Sequence, residues 1–234
     1  MTNEKPNERA ALTRRAVIET ALAIGDSEGL EAISLRRVAR DLGVTPMALY
    51  RYVDSKEGLL EGMIERAFEE FELPETEDDW REEMRTMARS FRRLLVTHPA
   101  VTALFSMHPS ETDSISQNGA RVVEVVLSVL RRAGFPPKEA ALIESECERF
   151  ILGHVVLEMT NGPQPCPFNP RGTNKQGHVS LALLPPEEFP HLLEALPYFT
   201  KYQDPEWAFE FALDLLVGGL EHLLEGNNLP LDSR

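Results

Sequence analysis

The stretch 34–52, SLRRVARDLGVTPMALYRY, decides the fold. Ser34 can cap the free backbone N–H groups of a helix that buries Leu35, Val38, Ala39 and Leu42 at the i, i+3, i+4, i+7 spacing. Gly43 ends that helix. After the turn Gly43-Val44-Thr45, Thr45 supplies a second cap and Pro46 a first helical residue, which predicts a short helix over 46–52. Two short amphipathic helices joined by a three-residue turn containing Gly form the helix-turn-helix pattern, whose second helix enters the DNA major groove.

On that second helix Leu49 and Val53 face inward with Val44, which leaves Met47, Ala48, Tyr50, Arg51 and Tyr52 outward. Exposed tyrosines donate to phosphate oxygens and lie along sugars, and Asp54-Ser55-Lys56 starts the next helix with a Lys beside the same backbone. Upstream, a first helix carries Ile18, Ala21, Leu22 and Gly25 on one face and stops at Ser27-Glu28-Gly29, where Gly takes a left-handed cap. Downstream, 56–71 repeats Leu59/Leu60, Met63/Ile64, Ala67/Phe68 and Phe71, a wide apolar stripe suited to connecting two domains. The polar run 72–79, ELPETEDD, is broken by Pro74 and marks the boundary. The expected organisation is all-α: an N-terminal three-helix DNA-binding domain with its connector over 1–72, then a larger helical ligand-binding and dimerisation domain over 73–234.

Charge distribution agrees with this division. The 234 residues carry a net charge of −14, yet 1–56 hold nine Lys/Arg against eight Asp/Glu, so the net negative charge lies entirely outside the first segment. An acidic remainder repels DNA and confines contact to one end. No run approaches the ~20 apolar residues of a membrane span, and the polar N-terminus lacks a signal-peptide core, so no membrane partner and a cytoplasmic location are expected. Cys147 and Cys166 have no paired spacing, which predicts two reduced thiols.

The second half reads as helices throughout. Trp80, Met84, Met87, Ala88, Phe91, Leu94 and Leu95 form one apolar face that ends at His98-Pro99. Further helical stretches cover 100–107, 112–133 and 137–159, with a proline-rich loop over 160–190. A short helix near 187–198 precedes Asp204-Pro205, which caps and opens a terminal helix reaching Leu224. Its Gly218 and Gly219 permit close approach of another helix. Packing within one chain and packing against a second copy both satisfy the periodicity.

The run ISLRRVARDLGV at 33–44, followed by ALYRYV at 48–53 and SKEGLL at 55–60, resembles the DNA-binding domain of the TetR family over roughly 12–71. The resemblance implies an all-helical homodimer that represses transcription from double-stranded operator DNA until a small-molecule effector releases it. It places Arg36, Tyr50, Tyr52 and Lys56 in contact with DNA, mostly with its backbone, and Thr45, Pro46, Met47 and Ala48 at the groove-facing end of the recognition helix; Ser34 joins this DNA-facing set. Pro46, Met47 and Ala48 offer apolar contact to thymine methyls and no bidentate pairing, so specificity falls to Arg36, Thr45, Arg51 and DNA shape. It also implies that the stretches from Ala140 to Met159 and from Trp207 to Leu224 form the dimer interface.

Beyond the first domain, ARSFR at 88–92, His98, Gly134-Phe135 and VGGLE at 217–221 resemble the tetracycline-repressor subclass, in which a drug arrives with magnesium held by a histidine. The corresponding stretch here, Leu104-Phe105-Ser106-Met107, has Phe105 or Ser106 instead, with His108 close by. Met87 and Val126 stand in place of two polar drug contacts, and the aromatic at Phe91 is retained. No metal or cofactor is therefore carried over. The expected effector is hydrophobic or aromatic, lined by Met84, Met87, Phe91, Phe105, Met107, Val126, Phe150 and His154; a Met or Phe stripe at this spacing is also ordinary core.

Enzyme chemistry finds no framework. His98, His108, His154, His178, His191 and His222 form no H-E-x-x-H spacing, and there is no G-x-S-x-G elbow, P-loop or G-x-G-x-x-G. Glu144 and Glu148 share a helix face without a partner His, which reads as a solvated face.

Overall fold

A computed structural model describes residues 12–75, 79–107, 116–160, 184–199 and 204–226. Among them the chain is all-α, with no strand: α1 (Arg14–Glu28), a 3-10 turn (Leu30–Ala32), α2 (Leu35–Asp41), α3 (Pro46–Leu49), α4 (Lys56–Phe68), α5 (Trp80–Thr97), α6 (Pro99–Met107), α7 (Gln117–Ala133), α8 (Pro137–Thr160), α9 (Pro190–Phe199) and α10 (Pro205–Leu224). Most of the loop expected over 160–190, together with Cys166, His108 and His178, lies outside the described residues.

Local chemistry sets the starts. The side chains of Thr13, Ser34, Ser55 and Asp204 each accept a hydrogen bond from a first-turn backbone N–H, at 3.0–3.2 Å. Five helices open on proline, whose missing N–H would have had no helical partner. Gly29 adopts φ 87°, ψ 166°, a region that a side chain would forbid, and its N–H closes on the Gly25 carbonyl at 2.9 Å.

The helices fall into two compact units, one built from 1–73 with 90–125 and one from 74–89 with 126–234. In the first, Val17, Ile18, Ala21 and Leu22 of α1 are buried together with Val38, Ala39, Leu49, Leu59 and Met63. Each of the Val, Ile, Leu and Met side chains among them contributes about 1.5–3 kcal/mol by burial. Glycine sets how closely α1 is approached: a Cβ on Gly25 would lie 2.7 Å from Cβ of Ala100 in α6, and one on Gly62 of α4 would lie 2.5 Å from Cδ1 of Ile18. Phe68, Phe71, Phe91 and Phe105 form an aromatic cluster with ring centroids 6.1–6.5 Å apart.

In the second unit, Trp80 packs edge-on to buried Phe135. Arg81, Arg85 and Arg89, one helical turn apart on α5, reach Glu221, Asp214 and Glu210 on antiparallel α10. Arg132 of α7 pairs at 2.5 Å with Glu83, which is 2% exposed. Phe150 and His154 of α8 pack on Phe209 of α10 at 6.3 and 5.3 Å. Cys147 is a buried free thiol, pushed up to about 12 by burial and then by nearby Glu144 and Glu146, which makes it a poor nucleophile.

Candidate nucleic-acid interface

α2 rests on the first unit's core through Val38 and Ala39, with Leu35 and Leu42 half-buried. Gly43, at φ 66°, then turns the chain so that the Val44 N–H reaches the Ala39 carbonyl at 2.9 Å. α3 is shorter than the pattern predicts. It ends at Leu49, and Tyr50-Arg51-Tyr52 form a turn in which the N–H groups of Tyr52 and Val53 both bond the Leu49 carbonyl, at 2.8 and 3.0 Å. Leu49 at 0% and Val53 at 4% exposure are the anchors.

Around these anchors the nominated residues turn outward. Met47 is 74% and Tyr50 49% exposed; Ser34, Arg36, Thr45, Pro46, Arg51 and Lys56 are exposed, while Ala48 and Tyr52 are half-buried. Thr45 corrects an expectation. It occupies the cap position of α3 without a side-chain capping bond, and its backbone carbonyl takes the Ala48 N–H instead. The capping at Ser34 occurs as expected, so Ser34 is held to its own helix through the Arg37 N–H.

Electrostatics separates the adjacent Arg36 and Arg37. Arg37 forks onto Glu28 at 2.6 and 2.7 Å and bonds Asp41 at 3.0 and 3.2 Å. The hydrogen bonds from Arg37 hold both carboxyls below the usual carboxylate range and raise the guanidinium further. Arg36, one residue earlier, makes no ion pair among the described residues, and neither do Arg51 and Lys56. Three cations that form no ion pair among the described residues, on the same pair of helices as an exposed Met and Tyr or just beyond it, can neutralise phosphates while the apolar groups contact base edges.

The residues nominated for effector contact do not share one surrounding. Phe91 and Phe105 belong to the phenylalanine cluster of the first unit, together with Phe68 and Phe71, which the sequence pattern assigns only to the connector stripe. Met84, Met87, Val126, Phe150 and His154 belong to the second unit, with both methionines buried. Met107, at 64% exposure, faces solvent. An open recess of about 280 Å³ is lined by Phe68, Glu69, Phe71, Leu73, Asn118, Arg121 and Val122, none of them nominated from sequence. It lies just below the roughly 300–1,000 Å³ of drug-sized sites. No group of His, Cys, Asp and Glu among the described residues has the arrangement of a metal site. Glu144 and Glu148 correct the expectation of a solvated face: both are half-buried, and burial raises both carboxyls.

Two short helices joined by a glycine turn, the first capped by Ser34, with an apolar tip and cations that form no ion pair among the described residues, define a helix-turn-helix DNA-binding regulator. Residues 17–63 match the model of bacterial regulatory proteins of the tetR family, and 73–224 match the tetracyclin repressor-like C-terminal domain. The chain belongs to the TetR family. The class C tetracycline repressor protein of Escherichia coli is 28% identical over 215 residues, covering 91% of this chain and 92% of that protein. The HTH-type transcriptional repressor DrrR1 of Streptomyces coeruleorubidus is 33% identical over 156 residues, 65% of this chain and 56% of DrrR1. The structure is similar to apo ActR of Streptomyces coelicolor, with TM-score 0.76, 27% identity and coverage of 92% and 98%; ActR is also known in complex with actinorhodin.

Proposed function

We propose that the chain is a homodimeric transcriptional repressor, acting in the cytoplasm, that leaves a palindromic operator when a small hydrophobic or aromatic effector binds. In this reading 1–72 read DNA, and 73–234 sense the effector and hold the dimer. The observation that carries it is the contrast on α2 and its neighbours: Arg37 is neutralised, while Arg36, Arg51 and Lys56 are left for phosphates and bases around exposed Met47. The class C repressor and DrrR1 are named as repressors, and ActR is known with actinorhodin bound, which supports a small-molecule effector for this chain.

Dimerisation is proposed through α8 and α10. On α10, Phe209, Leu213, Val217 and Leu220 are buried within the unit, whereas Trp207, Phe211 and Leu215 lie exposed on another face with Gly218 and Gly219. A Cβ on either glycine would meet nothing within 4 Å, so that face has room for a second backbone. For effector contact, Phe91 and Phe105 within the phenylalanine cluster are the leading residues; Met84, Met87, Val126, Phe150, His154 and Met107 are tested beside them. An effector that favours a conformation with the wrong spacing of recognition helices lowers operator affinity by linkage.

The test is a footprint of the purified protein on DNA flanking its own gene, repeated with a panel of polycyclic aromatic compounds. A symmetric footprint lost with at least one compound is expected. No sequence-specific protection at low salt would refute the reading, and protection that no compound relieves would refute its induction half.

A further inference from the structure

His98 stands at the joint of α5 and α6, 8% exposed, with both ring nitrogens against carboxylates. Nδ1 lies 2.8 Å from Oδ2 of Asp26, near the end of α1, and Nε2 lies 3.2 Å from Oε2 of Glu70, just beyond α4. A neutral imidazole owns one N–H, so one nitrogen would set its lone pair against a carboxylate; the imidazolium donates from both. The hydrogen bond to Asp26, assisted by Glu70, raises the His98 pKa above its ordinary 6.5 against the opposing pull of burial.

The two carboxylates are themselves anchored. Oδ1 of Asp26 accepts the Ala100 N–H at 3.1 Å, and Glu70 pairs with Arg66 at 2.9 Å, which also reaches Glu19 and Glu69. α6 carries no charged side chain, and Arg93 of α5 turns to Glu72 at 2.6 Å. Two residues past Asp26, Glu28 ends α1 and takes the fork from Arg37 on α2. The joint of α5 and α6 is thereby tied, through the last turn of α1, to the helix that carries Arg36.

We propose that protonated His98 is a positioning residue for DNA reading: it pins the last turn of α1, and with it the Glu28–Arg37 pair that sets α2. This rests on the operator reading above. Because the folded-state pKa is raised, the clasp is complete below about pH 6.5 and is lost as pH rises through the folded value. Operator affinity at constant ionic strength falls across that window.

Three quantities on the full-length protein test this between pH 6 and 9: the His98 ring resonance, operator affinity by fluorescence anisotropy, and exchange of the 27–29 and Ala100 amides corrected for intrinsic rates. The expected result is one shared midpoint, with a severalfold loss of affinity above it. Asp26→Asn should move all three midpoints down together, and His98→Gln should abolish the pH dependence of affinity in this range. The proposal is overturned if His98→Gln keeps the wild-type affinity profile, or if Asp26→Asn moves the ring midpoint and leaves that of operator binding in place. Should His98→Gln fail to fold, the wild-type and Asp26→Asn midpoints decide alone. Absence of any specifically bound duplex would overturn the operator reading instead, with amide exchange still deciding whether His98 pins α1.

Discussion

The helix-turn-helix and the α8/α10 pair both leave large apolar side chains in solvent, and they surround them with opposite electrostatics. Met47 and Tyr50 are exposed on the motif that carries Arg36, Arg51 and Lys56, which form no ion pair among the described residues. Trp207, Phe211 and Leu215 stand on a helix whose Glu210, Asp214 and Glu221 are already satisfied by the α5 arginines. Cations left free beside an apolar tip suit a polyanion with methyl groups on its base edges. An apolar stripe on a charge-satisfied helix suits another apolar stripe.

Breaking the second surface should have the largest effect. Phe211→Asp with Leu215→Asp places charges in the proposed interface and should yield monomers by analytical ultracentrifugation, with operator affinity down by about a hundredfold or more as bivalent contact is lost. A stable dimer in that variant would remove α10 from the interface. On the first surface, Arg36→Ala should cost about 1–3 kcal/mol of operator binding and relax preference at one base pair. Arg37→Ala, by contrast, should register first in thermal stability, because its partners are protein groups.

Smaller effects sharpen the same contrast. Lys56→Ala should weaken binding to all sequences alike and reduce the salt slope by about 1. An unchanged slope would place Lys56 off the phosphates. Ser34→Ala should cost about 1 kcal/mol in chemical denaturation, through loss of a cap. Thr45→Val should cost almost nothing there, because its hydroxyl caps nothing, and should instead alter which operators are selected.

Features that depend on a few consecutive residues are legible in the chain's chemistry alone. Ser34 and Asp204 cap where their sequence positions predict, and proline opens α3 and α10, because capping and φ restriction act within one turn. The same local reasoning overextends α3 to Tyr52. Whether a seven-residue segment continues as helix or closes as a turn on Leu49 is decided by how Leu49 and Val53 seat in the core. The effector residues are least legible, since a Met or Phe at helical spacing looks the same in a core as in a pocket. Phe68 and Phe71 read as connector stripe, yet they join Phe91 and Phe105 and also line the recess.

By itself the sequence determined the all-helical class, the helix-turn-helix and its inward anchors, because helical period, caps and glycine turns are short-range physics. Only the tertiary structure decided how fully Arg37 is spent on the protein. Asp41 lies one helical turn away and is in reach by the i,i+4 spacing alone, but Glu28, nine residues back, takes the fork only when α1 and α2 pack, while Arg36 is left exposed. The same holds for His98, whose partners are 72 and 28 residues away: carboxylates this remote in sequence have no pattern to read and meet the imidazole only when α1, α4 and the joint of α5 and α6 pack together.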